Sequence, residues 1–131
     1  MMETVIERRA ALTAALRSGE YAQAKGYLRE KDGSGYCCLG VACDLYHKET
    51  GKGYWDERVF RDAGGDSNNS FLPRDVSAWF GFSGASGSFV KEVVSERGLK
   101  LRTLDGLNDF VMNFNEVADF IDSNPEGLFN D

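Results

Sequence analysis

The chain has 131 residues, 42% of them apolar, with nine Phe, five Tyr and two Trp, and a formal net charge of −6. That length suits one domain with a core of its own, and the apolar content rules out disorder across the whole chain. The acidity argues against direct nucleic-acid binding, which runs on clustered Lys and Arg, and it is unevenly placed: every charged residue after Arg102 is acidic, from Asp105 to Asp131.

Charged and apolar residues alternate through the first nine positions, which reads as no signal peptide, and no later stretch reaches the ~18 apolar residues of a membrane span. Three cysteines, Cys37, Cys38 and Cys43, make a poor disulfide framework and imply reduced thiols in a cytoplasm. Residues 3–17 predict an amphipathic helix with Val5, Leu12 and Leu16 inside and Arg8, Arg9 and Arg17 outside the stripe, ended by Ser18-Gly19. Tyr21 to Lys25 predicts a short second helical turn. Gly26–Arg29 and Tyr36–Cys38 flank Lys31-Asp32-Gly33-Ser34-Gly35, and Asp-Gly between two apolar runs signals a β-hairpin. Cys38 to His47 predicts a buried helix, although Gly40 inside it costs about 1 kcal/mol against Ala.

Residues 48–72 form a long polar excursion with Tyr54-Trp55 and Val59-Phe60 as small strands or packing plugs. Leu72-Pro73 opens a helix with Val76, Trp79 and Phe80 on its inner face. A Gly/Ser loop follows from Gly81 to Ser88, and Phe89 to Glu96 suits helix or strand. Thr103 to Asp109 predicts a short helix around Leu104 and Leu107. Asn113 with Glu116 three residues on has capping-box spacing for a last helix, buried through Phe114, Val117, Phe120 and Ile121 and stopped by Asn124-Pro125. The expected architecture is a single α+β domain over residues 1–131, mostly helical, with one small β-hairpin or sheet.

Catalytic and metal templates fit poorly. Cys38 at a helix start is placed to have a lowered thiol pKa, but His47, the only histidine, lies about 13 Å further along the same helix, out of hydrogen-bonding reach. Three packed thiols are the simpler reading. Cys43 and His47 have helical ligand spacing, yet no second Cys/His pair closes a zinc tetrahedron. Asp105 to Glu116 has the length of a calcium loop but carries Leu107 and Phe110 where a ligand and a glycine belong. The Gly/Ser loop is neither a nucleophile elbow nor a P-loop. No metal or cofactor is expected.

On the last helix Glu116, Asp119 and Asp122 recur at i+3, a spacing that costs a few tenths of a kcal/mol per pair (about 0.2–0.5) unless countered. Either Arg8, Arg9, Arg17 or another basic group folds over them, or the face meets a basic partner. Polar groups placed where core packing does not require them are the candidate binding residues: Arg29, Tyr36, Asn108, Asp109, Glu116 and Asp119.

Three stretches together resemble a group of small bacteriophage and prophage proteins with no assigned reaction. They are Ala15–Tyr21 with Gln23; Gly26–Arg29 leading into Tyr36-Cys37-Cys38-Leu39-Gly40-Val41-Ala42-Cys43-Asp44; and Leu104–Asp109 followed by Phe114–Ile121. The resemblance implies a bacterial-host cytoplasm as the setting. Together with the small size, the failure of every catalytic template and the one-signed C-terminal segment, it favours a non-enzymatic accessory protein that binds and blocks or sequesters a host component in host takeover or anti-defence. That component is a host protein or a small nucleotide-like signal held between aromatics and Arg, with a homo-oligomer possible and no direct nucleic acid or membrane partner. The alternative is a cysteine-dependent hydrolase or transferase using Cys38.

Overall fold

The computed structural model describes residues 3–131; Met1 and Met2, which open the alternating N-terminal stretch, lie outside the described residues. The first helix, α1 (Val5–Arg17), begins at a Thr4 capping box: the Glu7 amide donates to Thr4 Oγ1 at 3.1 Å and the Thr4 amide to Glu7 Oε1 at 3.2 Å. Leu12 and Leu16 go inward as their spacing requires. Arg9 corrects the expected stripe, because it is buried with them. Its guanidinium lies 3.7 Å from the Phe129 ring centroid, its Nε donates to the Phe80 carbonyl at 2.8 Å, and Asp131 pairs with it at 2.6 Å.

The second helix, α2 (Cys38–Thr50), is the core of the molecule, touching α1 and two of the later helices. Cys38, Leu39, Val41, Ala42, Cys43 and Tyr46 are all buried. Gly40 is required by a close approach: a Cβ there would sit 1.7 Å from the Leu28 carbonyl oxygen. The helix runs three residues past His47 and ends at Gly51, whose φ of 69° makes the left-handed cap.

Between α1 and α2 the expected elements differ. Tyr21–Lys25 is extended rather than helical, since the Tyr36 amide donates to the Ala22 carbonyl at 2.8 Å and the Ala24 amide to the Tyr36 carbonyl at 2.7 Å. The expected hairpin is reduced to single bridges from Tyr36 to Gln23 and to Arg29. Tyr36 is shared between two neighbours, and no regular ladder propagates.

The polar excursion holds a small antiparallel meander, β1 (Tyr54–Asp56), β2 (Val59–Arg61) and β3 (Ser67–Asn68), with Trp55 opposite Phe60. A short helix, α3 (Arg74–Phe80), follows Pro73 and buries Val76 and Phe80, with Trp79 half-buried. Residues 88–103 supply the second sheet, a two-stranded antiparallel pair of β4 (Ser88–Val94) and β5 (Lys100–Thr103), which resolves the helix-or-strand ambiguity at Phe89. Thr103 caps α4 (Leu104–Phe110) through its hydroxyl at 3.2 Å from the Gly106 amide. Asn113 and Glu116 form the expected capping box of α5 (Phe114–Asp122), whose Phe114, Val117 and Ile121 are buried against α1 and α4. The fold is α+β, with two small sheets on a helical core. No helix among the described residues is long and apolar enough to cross a membrane.

Candidate functional site

The crossing of the 21–36 segment with the β1–β2 hairpin creates a surface of alternating aromatic rings and cations. Tyr36 stands between Tyr21 and Trp55, edge-to-face with both at centroid distances of 5.0 and 5.9 Å. Arg29 lies over the Trp55 ring at 4.7 Å and donates from Nε to the Glu57 carbonyl at 2.7 Å. Beside it, Arg58 covers Tyr27 at 4.5 Å. Glu57 is the turn residue of the hairpin and adopts φ = 55°, which for a non-glycine costs about 1–2 kcal/mol. The Arg29 bond to its carbonyl helps to hold it there. An open polar cleft of about 530 Å³, lined by Glu30, Lys31, Asp32, Ser34 and Glu57, adjoins this surface.

Asp44, midway along α2, organises the far side of the cluster. It accepts from the Tyr21 hydroxyl at 2.6 Å, the Trp55 indole at 3.1 Å and the Lys48 ammonium at 3.1 Å, and it is 6% exposed. Burial alone would raise its carboxyl, but the three donors together hold it below the ordinary range. Burial and the adjacent carboxylate push the Tyr21 phenol up to about 12, so it remains a donor at neutral pH. Lys48, hydrogen-bonded to Tyr21 and Asp44 and lying 5.2 Å from the Tyr21 ring centroid, is held above the usual lysine range.

Of the six sequence-derived candidates, Arg29 and Tyr36 come together on this surface. Asn108 lies beneath it, fully buried. Its Nδ2 donates to the Ala24 carbonyl at 2.8 Å and to Asp109 Oδ1 at 3.0 Å, and its Oδ1 accepts from Gln23 Nε2 at 2.9 Å and from the Cys38 amide at 3.2 Å. It thereby caps the first turn of α2 from a different helix. Asp109 accepts from the Gly26 amide at 3.1 Å, so this pair locks the 21–36 segment in place. Glu116 is used by its capping box, and Asp119 belongs to an ion-paired patch: Arg17 reaches Asp119 at 2.7 Å and Asp122 at 2.8 Å. The acidic helix is therefore internally countered from α1.

The sequence reading missed Tyr21, Asp44, Lys48 and Trp55 as a unit. The i,i+4 pair Asp44–Lys48 was available as a signal, but only the fold brings Tyr21 and Trp55 to it.

Cys38 meets neither condition for a nucleophile. Its thiol is 2% exposed, contacts the Leu104 carbonyl at 3.5 Å and is pushed far up by burial, with Cys37 and Asp105 adding to the shift. Cys37, pushed up to about 12 by burial, spends its sulfur as the N-cap of α2, accepting from the Gly40 amide at 3.4 Å. His47 sits at the opposite end of that helix, 3.1 Å from the Lys52 carbonyl.

No curated protein and no solved structure matches the chain. A family described as a domain of unknown function, DUF8296, matches residues 2–125, which span the core, the Asn108 hub and the aromatic–cation surface. The chain belongs to the DUF8296 family.

Proposed function

We propose that the protein is a non-enzymatic phage accessory protein that binds and sequesters a host protein in the bacterial cytoplasm, using the surface around Arg29, Tyr36 and Trp55. The observation that carries this reading is the series of cation–ring contacts Tyr27–Arg58 and Trp55–Arg29 with the edge-to-face pair Tyr36–Tyr21 beside them. Trp, Tyr and Arg dominate the residues that carry binding energy at protein interfaces. Here they are ordered in advance by hydrogen bonds to Glu57 and Asp44, which reduces the side-chain entropy lost on association. The phage setting rests on the resemblance of the Tyr36–Asp44 stretch and its companions. The buried, protonated thiols weigh against the cysteine-enzyme alternative.

The test is affinity capture from host cytoplasm followed by mass spectrometry, with Arg29→Lys, Tyr27→Ala and Glu116→Lys run in parallel. One host protein should be enriched by the wild type and by Glu116→Lys, and lost with Arg29→Lys and Tyr27→Ala while each variant keeps the wild-type far-UV circular dichroism spectrum. Lysine keeps the charge at position 29 but not the planar stacking fork. Capture that survives both aromatic-face variants and fails with Glu116→Lys would move the interface to the acidic helix and refute this reading.

A further inference from the structure

A second cleft, of about 560 Å³, opens between the ends of α1, α2 and α3 and is separate from the Arg29 surface. Its polar lining is Arg8, Tyr46, Thr50, Lys52 and Asp75, with Trp79 as an aromatic wall. We propose that this cleft binds a small phosphorylated nucleoside, with the phosphate at Lys52 and Arg8 and the donor groups of the sugar or base at Asp75.

Tyr46 supplies the observation that makes the cleft more than a surface depression. Its ring is buried edge-to-face against Trp79 at 5.8 Å and Phe60 at 6.2 Å, while its hydroxyl, without a hydrogen-bond partner among the described residues, is open to the cleft. A phenol that reaches the lining of a cleft finds its partner in what the cleft holds. Burial, with Asp75 and Asp62 nearby, pushes this phenol up, so it enters as a donor and suits an anionic oxygen.

The Arg8 guanidinium and the backbone that carries Lys52 are held in place. Lys52 follows the left-handed Gly51 cap; its amide donates to Thr50 Oγ1 at 3.0 Å and its carbonyl lies 3.1 Å from His47 Nδ1. Gly53 must remain glycine, because a Cβ would meet Phe60 at 2.7 Å and the Arg61 carbonyl at 2.8 Å, so the backbone beside Lys52 is confined. The Lys52 ammonium has no ion-pair partner among the described residues. Arg8 is stacked on Trp79 at 4.7 Å and donates to the Trp79 carbonyl at 3.0 Å.

Two cations and a phenol donor favour an anion, and phosphate oxygens accept from all three. Asp75 is what excludes bare phosphate as the best ligand. Its Oδ2 accepts from the Gly64 amide at 3.0 Å, fixing a carboxylate in the same cleft that repels an anion and accepts from amino or hydroxyl groups. The volume also exceeds what phosphate alone would fill. A nucleoside monophosphate carries both kinds of group.

The test uses the full chain in isothermal titration calorimetry with adenosine 5′-monophosphate, guanosine 5′-monophosphate, adenosine and inorganic phosphate as probes. At least one nucleotide should bind saturably, about tenfold or more tighter than inorganic phosphate, and adenosine should bind no better than phosphate. Lys52→Ala should weaken the nucleotide about tenfold, and Tyr46→Phe about threefold or more, the losses expected for charged and neutral hydrogen bonds. Tyr46→Phe should do so without lowering the melting temperature, because its hydroxyl bonds to nothing among the described residues. Lys31→Ala, on the other cleft, should leave nucleotide binding unchanged. Absence of saturable binding by either nucleotide, equal affinity for phosphate and nucleotide, or wild-type affinity in Lys52→Ala would each overturn the proposal. Host-protein capture is untouched by any of these results, so the two readings fail separately.

Discussion

Asn108→Ala removes a side chain on which three segments converge. Gln23 Nε2 keeps the Met112 carbonyl at 2.9 Å, and Asp109 keeps the Gly26 amide, so those groups remain satisfied. The Cys38 amide does not. It belongs to the first turn of α2, where no helical carbonyl is available to it, and it is buried. Stranding that donor costs about 1–3 kcal/mol, and losing the bond to the half-buried Ala24 carbonyl adds about 1 kcal/mol, for a total of about 2–4 kcal/mol. Against a total stability of about 5–15 kcal/mol this is a large fraction. Urea unfolding followed by far-UV circular dichroism should show the midpoint falling by about 1–2 M with the slope unchanged. Asn108→Asp should be no better at neutral pH, since it keeps an acceptor for Cys38 but loses the donor to Ala24 and sets a charge beside Asp109. A loss below about 1 kcal/mol for the alanine variant would refute the claim that, among the described residues, the Cys38 amide depends on Asn108.

Asp105 should be a source of instability at neutral pH. One of its oxygens is buried without a hydrogen-bond partner, and burial pushes its carboxyl up, opposed by Thr103 and reinforced by Asp109. Because the folded pKa exceeds the unfolded one, stability falls as pH rises through the titration of Asp105. Asp105→Asn should therefore be more stable than the wild type at pH 7, with the gain gone below about pH 3, as read from urea midpoints across pH. All three thiols should resist iodoacetamide at neutral pH in the native protein and react together once unfolded; rapid labelling of Cys38 alone would contradict its burial. Gly40→Ala should destabilise by about 3 kcal/mol or more, because the added methyl meets backbone at Leu28 rather than a movable side chain. A melting temperature near wild type for that variant would mean the α2–Leu28 approach is looser than described.

What could be read from the sequence tracks how local each element's cause is. The α5 capping box lies within four residues, as Asn113 and Glu116, and was legible; so were the two faces of α1, except at Arg9. Nothing near Arg9 reveals that Phe80, Phe129 and Asp131 receive it, so its spacing places it outside the buried stripe. The Tyr21–Lys25 segment failed for a similar reason, since its backbone bonds go to Tyr36 rather than to itself. Gly40 was visible only as a helix penalty; the Leu28 carbonyl that demands it lies outside the helix. The candidate site followed the same rule. Arg29 and Tyr36 stood out as polar or aromatic groups flanking a turn, whereas Asp44 looked like one more residue on a buried helix until the fold supplied Tyr21 and Trp55.

The packing of α1 against α5 has a consequence for how the protein is made. The Arg17–Asp119 contact joins residues 102 apart in sequence, and ribosomes add about 5–20 residues per second. For roughly 5–20 s, then, α1 has left the ribosome with Leu12 and Leu16 still lacking the helix that covers them. Assembly cannot proceed from the N-terminus forward; it waits for a late element and closes the molecule in a non-local step, the kind that slows folding. Nascent chains tethered to the ribosome with α5 still enclosed should therefore expose the leucine face of α1 to chaperones, while chains tethered through an added C-terminal spacer long enough to release α5 should not.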